Sequence, residues 1–247
     1  MKKIVLGSAC AVALMFSAGA ASADGINANL SGSFASFSNG GGNAWNVDGA
    51  VDDGFGGGWG GELTGGYHHL TTGGGADLGN VGGSMFWGDT DFRLAANVNY
   101  LDLSLFHLTT YGAGGEWYAS PEFTVSARGG GASGQFGIDG GYVGGDVKWY
   151  ATPDIAVNGG VDYINLSGFT HVTTEDIRGE WLVSETTPVS VFGGYAHAES
   201  GGAGSQDIFF VGIKLYTNSG GASTLVDRQR GGNLGYIGGV PYFGQEL

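Results

Sequence analysis

The sequence holds one cysteine in 247 residues, Cys10, close to the N-terminus. A single thiol forms no internal disulfide, and it cannot build a multi-thiolate metal site. There are four prolines and no Gly-X-Y period, which excludes collagen. Charged residues make up 13% of the chain, about half the usual share of a soluble domain. Lys and Arg number nine against 23 Asp and Glu, a formal net charge of −14. Nucleic-acid binding needs a basic face to neutralise phosphates, and this chain has none to offer. Long apolar runs are also missing outside the first residues, so no transmembrane helix is expected.

Glycine is what is abundant, with 53 residues, and aromatics reach 13%. That aromatic content is far too high for a flexible linker or a disordered tail. Apolar residues are therefore buried or covered singly, among glycines and small polar residues.

The N-terminus has the pattern of an export signal. Lys2 and Lys3 precede a mostly apolar stretch from Ile4 to Phe16, too short to span a bilayer, and Ala21-Ser22-Ala23 is a small-x-small cleavage site. Gly7-Ser8-Ala9-Cys10 is a poor lipoprotein box, because no Leu stands three before the cysteine. Cleavage after Ala23 removes Lys2, Lys3 and Cys10, leaving seven basic residues and a net −16. The expected organisation is a signal peptide over 1–23, one domain over 24–217 and a Gly-rich extension over 218–247.

Beyond Asp24 no helix is expected. Glycine doublets interrupt every helical window, at about 1 kcal/mol for each interior glycine. Alternation with a period of two is widespread instead. Leu94, Ala96, Val98 and Tyr100 alternate with Arg93, Asn97 and Asn99, and Phe123, Val125 and Ala127 alternate with Thr124, Ser126 and Arg128. An internal repeat reinforces the reading. Gly114-Gly115-Glu116-Trp117-Tyr118-Ala119-Ser120-Pro121-Glu122-Phe123 corresponds to the stretch from Gly144 to Ile155, with a looser copy from Gly179. Pro-Glu and Pro-Asp are tight-turn dipeptides, so each copy is a hairpin. Twelve strands follow, over 26–37, 44–51, 59–70, 77–88, 92–103, 107–120, 122–135, 138–151, 154–167, 171–185, 188–199 and 206–217, or ten if the first two segments are not strands. These strands exceed the ordinary soluble length and suit a tilted membrane strand.

The parity of the charges gives the fold class. With Leu94, Val125, Trp149, Trp181 and Val211 on the outer face, the basic residues Arg93, Arg128, Lys148, Arg178 and Lys214 all fall on the inner one. So do Asp48, Glu62, Glu116, Asp146, Asp162 and Glu180. A soluble sandwich would bury its apolar face. Apolar outward and charged inward is the arrangement of an antiparallel, up-and-down transmembrane β-barrel, whose closure satisfies every backbone group. Trp117, Trp149 and Trp181, each 32 residues apart, would form a membrane girdle just before the tight turns, with Tyr118 and Tyr150 beside them.

In these features the chain resembles the Gram-negative outer-membrane β-barrel superfamily, in its small porin-like members, over about 24–217. Phe209-Phe210-Val211-Gly212-Ile213-Lys214-Leu215-Tyr216 is similar to the final strand that the barrel-assembly machinery reads, although about 30 residues follow it. The resemblance implies an outer-membrane location, contact with outer-membrane lipid and lipopolysaccharide, and assembly by that machinery. The tail is a periplasmic extension, a lumen insert or a further strand.

No enzyme is expected. There is no G-x-S-x-G and no serine and histidine share a local motif. His68 and His69 point to opposite faces of a strand and are expected at a rim, without a metal. No cofactor is implied. Twelve strands close at a backbone diameter of roughly 24 Å, leaving a passage of about 10 Å if the inner side chains are small. The functional expectation is a channel for small hydrophilic solutes or ions, with a mild cation preference from acids at the rims such as Asp77 and Asp207. The alternatives are a closed-lumen structural or surface-interaction barrel, held by pairs such as Arg128 with Glu116 or Lys148 with Asp162, and a lipid-modifying barrel enzyme.

Overall fold

Ser120-Pro121-Glu122 and Thr152-Pro153-Asp154 show how the chain reverses. The amide of Glu122 donates to the Ser120 hydroxyl at 3.1 Å, and that of Asp154 to the Thr152 hydroxyl at 3.3 Å. A hydroxyl that mimics the turn acceptor, followed by a proline with φ preset, makes a two-residue reversal. At the turn after Gly88 an aspartate does the same work, with Asp89 accepting from the amides of Asp91 and Phe92.

The computed structural model describes residues 26–38, 41–71, 75–103, 107–168, 170–184, 188–201, 204–217 and 224–231. The expected signal peptide lies outside them. The strands are β1 (Asn27–Phe37), β2 (Gly42–Gly56), β3 (Trp59–Leu70), β4 (Ala76–Gly88), β5 (Phe92–Asp102), β6 (His107–Ser120), β7 (Phe123–Gly134), β8 (Asp139–Thr152), β9 (Ile155–Leu166), β10 (Thr170–Ser184), β11 (Val189–Ser200) and β12 (Gly204–Tyr216). Each pairs antiparallel with its neighbours in sequence, and β1 pairs with β12 from Asn29–Tyr216 to Phe37–Ile208, which closes the barrel. Closure leaves no sheet edge. A short helix, α1 (Leu225–Gly231), follows the last strand. No described helix is long and apolar enough to cross a membrane.

Twelve strands form, the first two among them. The second runs further than its expected 44–51, because Asp52 turns inward and accepts from Asn27 Nδ2 at 3.1 Å instead of ending the strand. Both described ends of the barrel, Asn27 and Tyr216, lie at one end, called lower here, with the tight turns after β2, β4, β6 and β8. Register shifts occur at the lower ends of the β2–β3, β6–β7, β8–β9 and β10–β11 pairs, where bulges tighten the rim.

The outer face carries Leu63, Val81, Leu94, Val98, Val143, Val161, Ile177, Val211 and Ile213, all exposed. Their inward neighbours Glu62, Arg93, Asn97, Asp162 and Phe210 are buried. Apolar packing inside the wall falls into small clusters: toward the upper end Leu101, Leu108, Ala132, Tyr142, Ile164 and Leu166 on one arc and Ala35, Ala44, Ala196, Ile208 and Phe210 on the other, and toward the lower end Tyr150, Ala156, Leu182, Tyr216 and Leu225, with Phe86 against Ala95. The charged residues occupy the belt between them.

Candidate functional site

All eleven charged residues assigned to the wall from sequence have inward parity. Glu62, Arg93, Glu116, Arg128, Asp146, Asp162 and Glu180 are buried, and Asp48, Lys148, Arg178 and Lys214 are half-buried. Two further inward acids, Asp52 and Asp176, escaped the sequence reading, although alternation from Asp48 and from Arg178 reaches both. The charges are unevenly distributed. Strands β1 to β4 contain no Lys or Arg, so that arc presents Asp48, Asp52 and Glu62 among Asn46, Asn80 and Thr64.

Arg128 is gripped by two aspartates of the strands that follow it. Arg128 Nε donates to Asp162 Oδ1 at 3.0 Å and Nη2 to Oδ2 at 2.5 Å, a two-pronged contact, while Nη1 reaches Asp146 at 3.0 Å. Asp146 also accepts from the Ser126 hydroxyl. These groups come from β7, β8 and β9, so the network runs along the wall; the expected partner Glu116 stands on the neighbouring β6, opposite Ser126, and is not across the lumen either. Register decides this: Arg128 stands opposite Gly144, and Gly144 opposite Asp162. The Asp162 carboxylate lies over Gly144, with Oδ1 only 1.5 Å from where a Cβ would sit. Gly144, on the inner face, is thus a seat for a neighbour's carboxylate. Gly82 does the same for Asn99, whose Oδ1 lies 1.9 Å from the equivalent point.

Helix α1 sits in the lower mouth. Leu225 is fully buried against Tyr150, Ala156, Leu182 and Tyr216, and its amide donates to the carbonyl of Pro153 at 2.9 Å. Gln229 bridges two strands, accepting from the Tyr150 hydroxyl at 3.1 Å and donating to Glu180 Oε2 at 3.0 Å. Glu180 is held in turn by the hydroxyls of Ser190 and Tyr216, each at 2.6 Å. Arg230 reaches the β6–β7 turn, donating to the carbonyls of Ser120 at 2.7 Å and Phe123 at 3.0 Å and to Thr124 Oγ1. Its guanidinium carbon lies 4.8 Å from the Tyr118 ring centre and 5.4 Å from that of Tyr150. Arg93 donates to the Arg230 carbonyl. Of the readings open for the tail, this segment takes the lumen insert.

The repeat therefore splits its aromatics between two faces. Trp117, Trp149 and Trp181 point outward and are exposed near the lower end. Tyr118 and Tyr150, expected beside them in the girdle, point inward and hold the helix. Trp59 and Trp87 stand opposite each other at the same lower level. They lie outside the 32-residue repeat, which is why the sequence did not single them out.

Histidines mark the upper outer rim. His69 Nδ1 bonds Asp77 Oδ1 at 2.8 Å and the Tyr67 hydroxyl donates to the same oxygen at 2.6 Å. His197, Asp207 and Tyr195 repeat the arrangement at 2.7 Å for both contacts. His68 is not at the rim: it is buried inside, with Nδ1 at 2.9 Å from Asn46 Oδ1 and Nε2 at 3.3 Å from Asp48. Among the described residues no group of three or more His, Cys, Asp or Glu is arranged to hold a metal ion.

A closed twelve-strand wall with an apolar exterior and a charged interior is the architecture of a transmembrane β-barrel, and solved structures share its fold. A KdgM porin superposes with TM-score 0.59 at 11% identity, covering 76% of this chain and 98% of that one. A NanC porin gives 0.60 at 10% identity with the same coverage. An outer membrane channel from Pseudomonas putida F1 gives 0.57 at 8% identity, covering 79% and 96%. The chain has the outer-membrane porin fold. No family model and no curated protein matches the sequence.

Proposed function

We propose that the protein is an outer-membrane porin-like channel for small hydrophilic solutes or ions, closed at rest by its own C-terminal helix. The observation that carries this reading is the charged, small-residue interior enclosed by an apolar exterior, on a fold shared with solved porins and channels. Charges inside a closed wall serve solutes and water, since a barrel needing only stability would fill its interior with packed apolar groups. The eleven wall charges line the passage. Membrane barrels turn tightly on their periplasmic side, so the lower end is the periplasmic one, α1 stands in the periplasmic mouth, and Trp117, Trp149 and Trp181, joined by Trp59 and Trp87, form the periplasmic girdle in contact with lipid. The extracellular rim meets lipopolysaccharide, and the last strand is read by the barrel-assembly machinery.

A mild cation preference is part of the proposal, on a different basis from the rim acids. Asp77 and Asp207 face outward, each engaged by a histidine and a tyrosine. The arc from β1 to β4, with three inward carboxylates and no inward Lys or Arg, is what favours cations. Planar-bilayer recording of the refolded protein tests both points. Discrete current steps are expected, larger once the helix is displaced, with a reversal potential toward the cation side under a salt gradient. Silence from both wild type and helix-displaced protein would remove the channel reading.

The lipid-facing assignment carries its own prediction. Val98 is outward and exposed in the middle of β5. Val98→Arg should lower the unfolding free energy in phospholipid vesicles by about 2–4 kcal/mol, the cost of arginine near mid-bilayer. Denaturant titration followed by tryptophan fluorescence reads it, and an unchanged midpoint would mean that this face does not meet hydrocarbon.

A further inference from the structure

Arg230 occupies a socket made entirely by the barrel wall. Its acceptors are two carbonyl oxygens, Ser120 and Phe123, and the Thr124 hydroxyl, all fixed by the β6–β7 reversal. Its walls are the rings of Tyr118 and Tyr150. Behind Tyr118 stands the Glu116 carboxylate, which accepts from the tyrosine hydroxyl at 3.0 Å. A socket with several acceptors, two aromatic faces and a carboxylate selects a planar cationic donor. A guanidinium fits because it is flat, weakly hydrated and able to stack while donating in its plane, whereas an ammonium is a compact, strongly hydrated point charge. Arg93 adds a second determinant: it donates to the backbone carbonyl of Arg230. A free arginine, or a peptide ending in arginine, carries a carboxylate where Arg230 carries that carbonyl, and a charged acceptor there strengthens the contact.

We propose that the periplasmic mouth is a binding site for arginine-type solutes, a guanidinium joined to a carboxylate, which Arg230 occupies in the closed state. The proposal deepens the channel reading by naming the solute class, but binding itself does not depend on conduction. In the wild type the tethered Arg230 competes at an effective concentration on the order of millimolar, so added arginine at lower concentration does not displace it.

The test uses full-length Arg230→Ala in a Leu225→Asp background, which displaces the helix and frees Arg93 from the residue-230 carbonyl, refolded in detergent, with heat-modifiable gel mobility showing that the barrel is intact. Arg230→Lys is the second variant, keeping the charge without the planar fork. Isothermal calorimetry with L-arginine should give saturable binding to Arg230→Ala and none to the wild type at the same concentrations. Citrulline, whose urea side chain is nearly isosteric with the guanidinium but uncharged, should not bind. Agmatine, which keeps the guanidinium and lacks the carboxylate, should bind roughly tenfold more weakly, a loss of about 1.4 kcal/mol, and adding Arg93→Gln should abolish the difference between arginine and agmatine. In bilayers, arginine on the periplasmic side should reduce the current of Arg230→Ala. No heat with arginine, or equal heats with arginine and citrulline, would overturn the site. Arginine binding in a barrel that never conducts would leave the site standing and remove the channel reading instead.

Discussion

Leu225→Asp should open the channel. Leu225 is fully buried in the cluster formed by Tyr150, Ala156, Leu182 and Tyr216, and it is the apolar anchor of α1. The bases nearest that cluster are already engaged, Lys214 with Glu180 and Arg228 with the Thr217 carbonyl, and burying an unpaired charge costs several kcal/mol even after relaxation. The remaining attachments of the helix, through Gln229 and Arg230, are polar and compete with water, at about 1 kcal/mol net for each hydrogen bond and somewhat more where charged. The balance favours release. A helix about 10 Å across blocks a passage of similar width, so single-channel conductance should rise by roughly an order of magnitude when it leaves. The wall itself loses little, because its strands remain paired around the whole circumference. Single-channel recording of wild type and Leu225→Asp under the same salt is the measurement, with heat-modifiability as the check that the barrel persists. Equal conductance in the two proteins would show that α1 does not obstruct the passage.

The difference between what the sequence reveals and what it hides follows from how each part is held. Strands with one apolar and one charged face are legible because a one-residue slip would place Arg128 or Lys148 in lipid, so parity and register are fixed by a large penalty. Helix α1 is hidden for the opposite reason. Leu225-Val226-Asp227-Arg228-Gln229-Arg230-Gly231 is seven residues long, too short for a helical period and too polar to be stable alone. It exists because Pro153, Tyr150, Glu180 and the β6–β7 turn supply partners for it. The inward tyrosines were accessible from parity, since Trp117 outward forces Tyr118 inward. Reading the Trp-Tyr pair as one girdle obscured that. The ion pairs were inaccessible, because Arg128 has several carboxylates within reach and only the registers of β7, β8 and β9 choose Asp146 and Asp162.

The same registers make Gly144 a sharper test of the wall than any charged residue. In Gly144→Ala the new methyl would occupy the position of the Asp162 carboxylate, 1.5 Å from its Oδ1, with the Val161 carbonyl oxygen 3.0 Å away on the backbone side. The carboxylate must swing into the lumen, and Arg128 then loses its two-pronged partner while keeping Asp146. Separating a buried pair costs about 3–5 kcal/mol, and the contact with Asp146 places this case near the lower figure. Gly179→Ala is the matched control. It adds the same methyl to a strand glycine, at an exposed outward position with nothing within 4 Å, so it should be neutral or stabilising by about 0.5 kcal/mol. A double-mutant cycle isolates the cause. If the loss comes from displacing the charge, Gly144→Ala should cost about 1–2 kcal/mol less in an Asp162→Asn background than in the wild type. If it comes from backbone crowding, the cost should be the same in both. Denaturant unfolding in vesicles gives all four corners of the cycle. Equal stability of Gly144→Ala and Gly179→Ala would mean that Asp162 does not rest on the glycine, and that Arg128 is held by something other than the network along the wall.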